Sequence, residues 1–153
     1  TKKAHLMAGA KPLTDIGLIS GYACRVKTLT GPGFALLGNA GEFLDPVFSS
    51  GVTIALKSAS LAAQLADRQL KGEAADWTAD FAKPLVRGVD TFRAYVNGWY
   101  SGMLQRIIFT RPSGETQIKP MITSVLAGYA WDERNPFVRR PQSSLEMVES
   151  LCA

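Results

Sequence analysis

The chain has 153 residues, of which 46% are apolar and 20% charged. That is ordinary for one globular domain with a core, and it excludes a disordered segment. No window approaches the roughly 18 uninterrupted apolar residues of a spanning helix, so no membrane span is expected. The net charge is +4, and the 17 basic residues are scattered apart from Arg139-Arg140. The dense basic stripe of a nucleic-acid binder is missing, so no nucleic-acid partner is expected. Cys24 and Cys152 belong to no C-x-x-C pair, which predicts free thiols in a reducing compartment, the cytoplasm. His5 is the only histidine, which argues against a zinc site or a histidine-dependent triad, and no metal site is expected.

Residues 1–15 read as a polar lead-in, with His5 on the surface. The first residue is Thr1 and no signal-like apolar region precedes Gly9, so the start was processed or the chain is a segment of something longer. Residues 16–29 carry Leu18, Ile19, Tyr22, Cys24 and Val26 between glycines, which predicts one or two short strands. Thr30-Gly31-Pro32-Gly33 is a turn by composition. Phe34 to Leu37 reads as a short buried strand that stops at Gly38. Asp45-Pro46 is a helix entry or turn, with Ser49 and Ser50 as further caps. Beyond Gly51 the positions Val52, Ala55, Leu56, Ala59, Ala62, Ala63, Ala66 and Leu70 form one helical face, ended by Lys71-Gly72.

A second long pattern runs from Asp80 to Ile108 through Phe81, Leu85, Val89, Phe92, Val96, Trp99, Tyr100, Met103 and Ile107. Pro84 lies in its first turn or marks a kink, and Asn97-Gly98 is a weak point. Residues 111–114 read as loop, 115–127 as a third helix, and 132–141 as loop again. Ser143 followed by Glu146 has the spacing of a capping box and opens a terminal helix.

The run Gly38-Asn39-Ala40-Gly41-Glu42-Phe43-Leu44-Asp45-Pro46-Val47-Phe48-Ser49-Ser50-Gly51-Val52 is the most informative stretch. A strand, a tight turn and a helix in that order put backbone N–H groups at a helix mouth, which suits an anionic or electron-rich ligand. A structural turn alone would explain Gly38 and Gly41. It would not explain the whole run followed by a small-residue helix.

The run resembles the second flavin-contacting motif of FAD-dependent oxidoreductases, flavin-dependent halogenases such as tryptophan halogenases among them, with hydroxylase and geranylgeranyl reductase-type relatives. The resemblance implies FAD as cofactor. Gly51 would leave room for the flavin ring, and Val52 would donate from its backbone. Gly38 and Gly41 would let the chain turn close to the ribityl and phosphate groups, while Asp45 and Pro46 match the motif. Asn39 stands where the family usually has aspartate on the ribityl chain, which keeps an acceptor oxygen but loses the charge. Glu42 stands where a small or apolar residue is usual. Ser50 and Gly51 match the pair beside which a halide is thought to sit in halogenases. No catalytic residue is identified.

Weaker likeness to the helical C-terminal region of halogenase-like proteins lies in Asn97 to Tyr100, residues 122–128, Trp131-Asp132 and Asn135-Pro136. Trp99 and Tyr100 are core residues or a substrate wall; Phe48 packs or touches ligand. Tyr22 and Arg25 follow a family wording near the active-site side, with Arg25 solvated as the plainer alternative.

The G-x-G-x-x-G run that binds pyrophosphate is absent. The expected architecture is therefore an α/β fragment, predominantly α-helical, forming the C-terminal portion of a Rossmann-like, hydroxylase-type FAD-binding flavoprotein. Residues 1–72 would complete the FAD-binding domain and 73–153 form a helical C-terminal region. Expected partners are the upstream FAD-binding half, a small-molecule substrate, a flavin reductase or NAD(P)H, and a second copy of the chain. The intact protein would be a halogenase- or monooxygenase-like enzyme, with this segment alone inactive. The alternatives are a prenyl or olefin reductase, and a non-catalytic helical binding or dimerisation module that keeps the motif as scaffold.

Overall fold

The computed structural model describes residues 7–11, 13–15, 17–110 and 117–152, so the expectations for His5 and for the loop at 111–114 lie outside them. The first elements are two-residue ladders. β1 (Cys24–Arg25) pairs antiparallel with β4 (Glu42–Phe43), Cys24 opposite Phe43 and Arg25 opposite Glu42. Between them β2 (Thr30–Gly31) and β3 (Phe34–Ala35) form a hairpin around Pro32-Gly33. The buried strand expected at 34–37 is shorter, and Phe34 is 46% exposed. Its ring lies across Gly31, its partner in the other strand, rather than entering the core.

The first long helix, α1 (Ser50–Leu70), ends at Lys71-Gly72 as the composition indicates. Its buried face is not the expected one. Ser50, Ile54, Ser58, Ala62 and Leu65 point inward. Of the expected face only Ala62 is buried, while Val52 and Leu56 are 70% and 68% exposed and Ala55, Ala59, Ala63 and Leu70 face outward with them. Side-chain size does not decide the face, since Val52, Leu56 and Leu70 stay exposed while Ser50 and Ser58 are buried; the buried face is the one that packs against the second long helix and the turn at Gly38–Ala40.

The second helical stretch opens at Asp76, whose Oδ1 accepts the N–H groups of Thr78 and Ala79. Thr78–Ala82 then wind as a π turn before α2 (Lys83–Tyr100). Pro84 explains the wider turn: it has no N–H to return to Asp80, and its ring would collide with that carbonyl in a regular ladder. Phe81, Leu85, Val89, Phe92 and Tyr95 form the buried face. The helix passes through Asn97-Gly98 and breaks later, at Ser101-Gly102, where Gly102 takes a left-handed φ of 80°. Met103 and Ile107 therefore belong to a separate helix, α3 (Met103–Phe109).

Three further helices close the core: α4 (Ile118–Leu126), α5 (Pro136–Arg139) and α6 (Pro141–Ser150). Pro120 sits in the first turn of α4, where its missing N–H costs nothing. α5 lies in a stretch expected to be loop. Asn135 caps it by accepting from the Phe137 N–H at 2.9 Å, and its Nδ2 donates to the Met121 carbonyl at 2.8 Å. The capping box expected at Ser143 does not form, because α6 starts at Pro141 and leaves Ser143 inside the first turn. Ser143 donates to the Arg140 carbonyl, and Glu146 accepts from Gln142. Buried side chains from Leu29 and Leu44 through Ile54 to Leu145 and Val148 form one cluster, so the segments on either side of residue 72 share a core. Among the described residues no helix is long and apolar enough to cross a membrane.

Tyr95 is fully buried in this core, and its hydroxyl has no hydrogen-bond partner among the described residues. Burial pushes the phenol well above the usual tyrosine range. Tyr95→Phe removes an unsatisfied group without changing shape. It is expected to stabilise the protein by about 1 kcal/mol, read as a higher urea midpoint. A lower midpoint would mean that the hydroxyl is paired in solution.

Candidate functional site

The chain enters α1 through two tight turns. The first, Gly38–Ala40, starts with Gly38 at φ 52°, a conformation that side chains with a Cβ rarely adopt. A Cβ there would also meet the Ala55 methyl at 3.2 Å. The buried Gly38 N–H donates to Ser58 Oγ at 2.9 Å, and that hydroxyl donates to the Ala55 carbonyl at 2.9 Å. The turn is thereby fastened to the second and third turns of α1.

The second turn, Pro46–Phe48, is capped by Asp45, whose Oδ1 accepts the Val47 N–H at 2.8 Å. Ser49 closes it in the left-handed region, with φ 52°, and its N–H donates to the Pro46 carbonyl at 2.9 Å. Among the described residues Ser49 is the only non-glycine with positive φ. It precedes α1 directly, and its side chain caps none of the helix N–H groups. The expected caps Ser49 and Ser50 thus do not act as caps, and Asp45 serves the preceding turn instead.

A cleft of about 630 Å³ opens at this helix head. Gly38, Asn39, Asp45, Pro46, Ser50, Gly51 and Val52 line it, with Leu37, Phe43 and Ala55 supplying apolar wall. A Cβ on Gly51 would project into free space, where only Asn39 Oδ1 comes within reach, at 3.5 Å. Gly41 is the one motif glycine outside the cleft. It is buried below, where a Cβ would meet a Leu29 methyl at 2.6 Å and the Leu36 carbonyl oxygen at 3.1 Å.

Three contacts from α2 hold this region, and none was read from the sequence. Glu42 is only 5% exposed, and its Oε1 accepts from Arg93 at 2.6 Å. Arg25 approaches the other oxygen at 3.9 Å and Asp90 at 3.8 Å, so it is half-exposed but paired rather than free in solvent. Tyr100 donates its hydroxyl to Asp45 Oδ2 at 2.8 Å and is otherwise exposed. Phe48 packs edge-on against Trp99, ring centres 5.7 Å apart, which is the packing alternative for both. Tyr22 meets Phe43 in the same edge-on manner. The available signal was the spacing of Arg93 and Tyr100, seven apart and so on one side of a helix.

Among the described residues no cluster of three or more His, Cys, Asp or Glu could hold a metal ion. No protein-family model matches the chain. The chain is 34% identical over 90 residues to a flavin-dependent halogenase of Metacordyceps chlamydosporia, a match covering 58% of this chain and 17% of that one. It is 41% identical over 68 residues to a tryptophan 2-halogenase of Chondromyces crocatus, covering 44% and 13%. The crystal structure of a flavoprotein/dehydrogenase from Cytophaga hutchinsonii superposes with a TM-score of 0.81 at 46% identity, over 86% of this chain and 32% of that one. The chain therefore spans less than a fifth of the curated relatives and about a third of the structural one.

Ser58→Ala deletes the acceptor of a buried backbone N–H. It is expected to cost about 1–3 kcal/mol and to speed hydrogen exchange at the Gly38 amide in particular. Unchanged exchange there would show that the turn does not rely on Ser58.

Proposed function

We propose that this chain, a flavin-dependent halogenase-like segment, forms the wall of an FAD site that faces the isoalloxazine ring and ribityl chain. The observation that carries the reading is the uncapped head of α1 opening onto the cleft lined by Gly38, Asn39, Asp45, Pro46, Ser50, Gly51 and Val52. FAD fits this donor set. The N–H groups of Gly51 and Val52 have no side-chain cap competing for them, and the missing Cβ at Gly51 leaves room for a flat ring. When bound, the flavin supplies the electron-transfer and oxygen chemistry of the enzyme.

The residues of this chain bind and polarise. The head of α1 carries partial positive charge and free donors, which favour negative charge on the ring edge. Asn39 offers an amide oxygen and an NH2 group to a polyol. Ser50 and Gly51 are the positions beside which a halide would rest. Gly41 serves the site from beneath, by letting the turn close on Leu36. The outward face of α1, with Val52, Leu56 and Ala63, would pack against the FAD-binding half of a longer protein. Reducing equivalents would come from NAD(P)H or a flavin reductase. The free thiols Cys24 and Cys152 fit a reducing compartment such as the cytoplasm.

The reaction of the whole enzyme would be halogenation or hydroxylation of a small molecule. A second reading, a reductase or dehydrogenase that does not use oxygen, is favoured by the Cytophaga flavoprotein, whose match covers more of this chain than the halogenase matches do. Substrate-dependent oxygen uptake by the full-length protein separates the two.

Gly51→Val in the full-length protein is expected to lower flavin content severalfold at an unchanged melting temperature, since position 51 is exposed. Normal flavin content with normal activity would refute the wall reading. The 153-residue chain by itself is expected to bind FAD more weakly than a Kd of about 1 μM and to self-associate through the uncovered face of α1. Fluorescence titration and light scattering test this. Tighter binding, or a clean monomer that takes up no hydrophobic dye, would contradict it.

A further inference from the structure

The turn that presents α1 is anchored from outside by α2. Glu42, Asp45 and Phe48 follow at three-residue steps, and each meets one α2 residue: Arg93, Tyr100 and Trp99 respectively. The Glu42 contact is a part-buried ion pair that holds β4 against α2, and the Phe48 contact is apolar packing. The Asp45 contact differs. Asp45 Oδ1 caps the Pro46–Phe48 turn, and Oδ2 receives the Tyr100 hydroxyl. One carboxylate therefore joins the turn to the end of α2. The same residue lines the cleft. No cation pairs with Asp45 among the described residues, so the phenol is its only side-chain donor there.

We propose that Tyr100 is a positioning residue for the flavin-facing wall: through its hydrogen bond to Asp45 it fixes the turn from which α1 presents Ser50, Gly51 and Val52. The inference rests on the wall reading above. Tyr100 touches no ligand in this assignment and acts only through Asp45. It is 68% exposed, so its contribution to global stability is small while its effect on the turn is direct.

This arrangement has a signature that packing alone would not give. Asp45 from the turn is bonded to the phenol, and Tyr22 from the lead-in to β1 is the other titratable group near enough to act on it. The hydrogen bond to Asp45 raises the phenol above its usual value. The bond is intact below the ordinary tyrosine value of about 10. It is lost as pH rises through the higher folded-state value, when a phenolate is left beside a carboxylate and the two repel. Flavin retention should fall over that window.

The test uses the full-length protein and titrates FAD across neutral to alkaline pH by flavin fluorescence, with melting temperature recorded alongside. Tyr100→Phe is expected to weaken FAD binding on the order of fivefold at neutral pH, the size of one hydrogen bond. It should leave the melting temperature nearly unchanged and show a smaller alkaline loss than the parent, the remainder belonging to ionisation of the flavin ring itself. Asp45→Asn, which cannot become a like-charged neighbour of the phenolate, should reduce the same alkaline loss. A Tyr100→Phe protein with the parent's affinity, or with the parent's alkaline loss, overturns the proposal. If Gly51→Val abolishes flavin binding while Tyr100→Phe keeps the parent profile, the wall reading stands and only the role of Tyr100 falls.

Discussion

The first N–H groups of an α-helix have no partner within it, and the residue before α1 offers no side-chain oxygen to them. A helix head left open in this way has to be held still by contacts that do not use its own donors. The chain meets that demand from two sides. Ser58, two turns into α1, reaches back to the Gly38 N–H and binds the first turn to the helix. Pro46 and Ser49 close the second turn on itself. The left-handed Ser49 then sets the direction in which α1 leaves, and its backbone cost of about 1–3 kcal/mol is sustained by those neighbours.

Charge is handled with similar economy. Glu42 is a buried acidic side chain, and a buried charge needs partners. Arg93 and Arg25 surround it, and Asp90 balances both guanidinium groups from α2. Such buried pairs add little net stability, because desolvation offsets the attraction. Their effect is on register: a strand of two residues has too few ladder hydrogen bonds to fix its own position. The ion pair ties β4 to one place on α2, and with it everything from Leu44 to the head of α1.

The sequence was most legible where one residue type dictates one geometry. Gly72 after Lys71 ends α1, and Asp45-Pro46 marks a capped turn, because a left-handed φ and a capping carboxylate are local properties. The run 38–52 also proved compact in space, with Gly41 as the exception that packs instead of lining the cleft. What was hidden depended on partners distant in the chain. The face of α1 was misjudged because alanines populate both sides and only the position of α2 decides between them. The pattern from Asp80 to Ile108 does not reveal the break at Ser101-Gly102, while the weak point at Asn97-Gly98 stays helical because tertiary packing holds it and Gly98 is buried. The two prolines of 132–141 concealed α5, although Asn135 followed by Pro136 is itself a local cap and first-turn signal; only the anchoring of the Asn135 amide on the Met121 carbonyl depends on a distant partner.

The π turn at Thr78–Ala82 sets the angle of what precedes it. The Lys83 N–H returns to the Thr78 carbonyl, one residue further back than a regular helix allows. Each residue of an α-helix advances the chain by about 1.5 Å and turns it by about 100°. The extra residue is thus a small change in length and a large change in phase. Upstream of it, Trp77 meets the Phe81 ring edge-on at 5.8 Å and donates its indole N–H to Gln69 on α1 at 2.8 Å. Removing one residue from this turn would leave the chain long enough to reach but would swing the indole away from Gln69. The spacing between the two long helices is therefore governed by rotation, and a length-preserving exchange at the exposed Thr78 is mild where a single deletion is not.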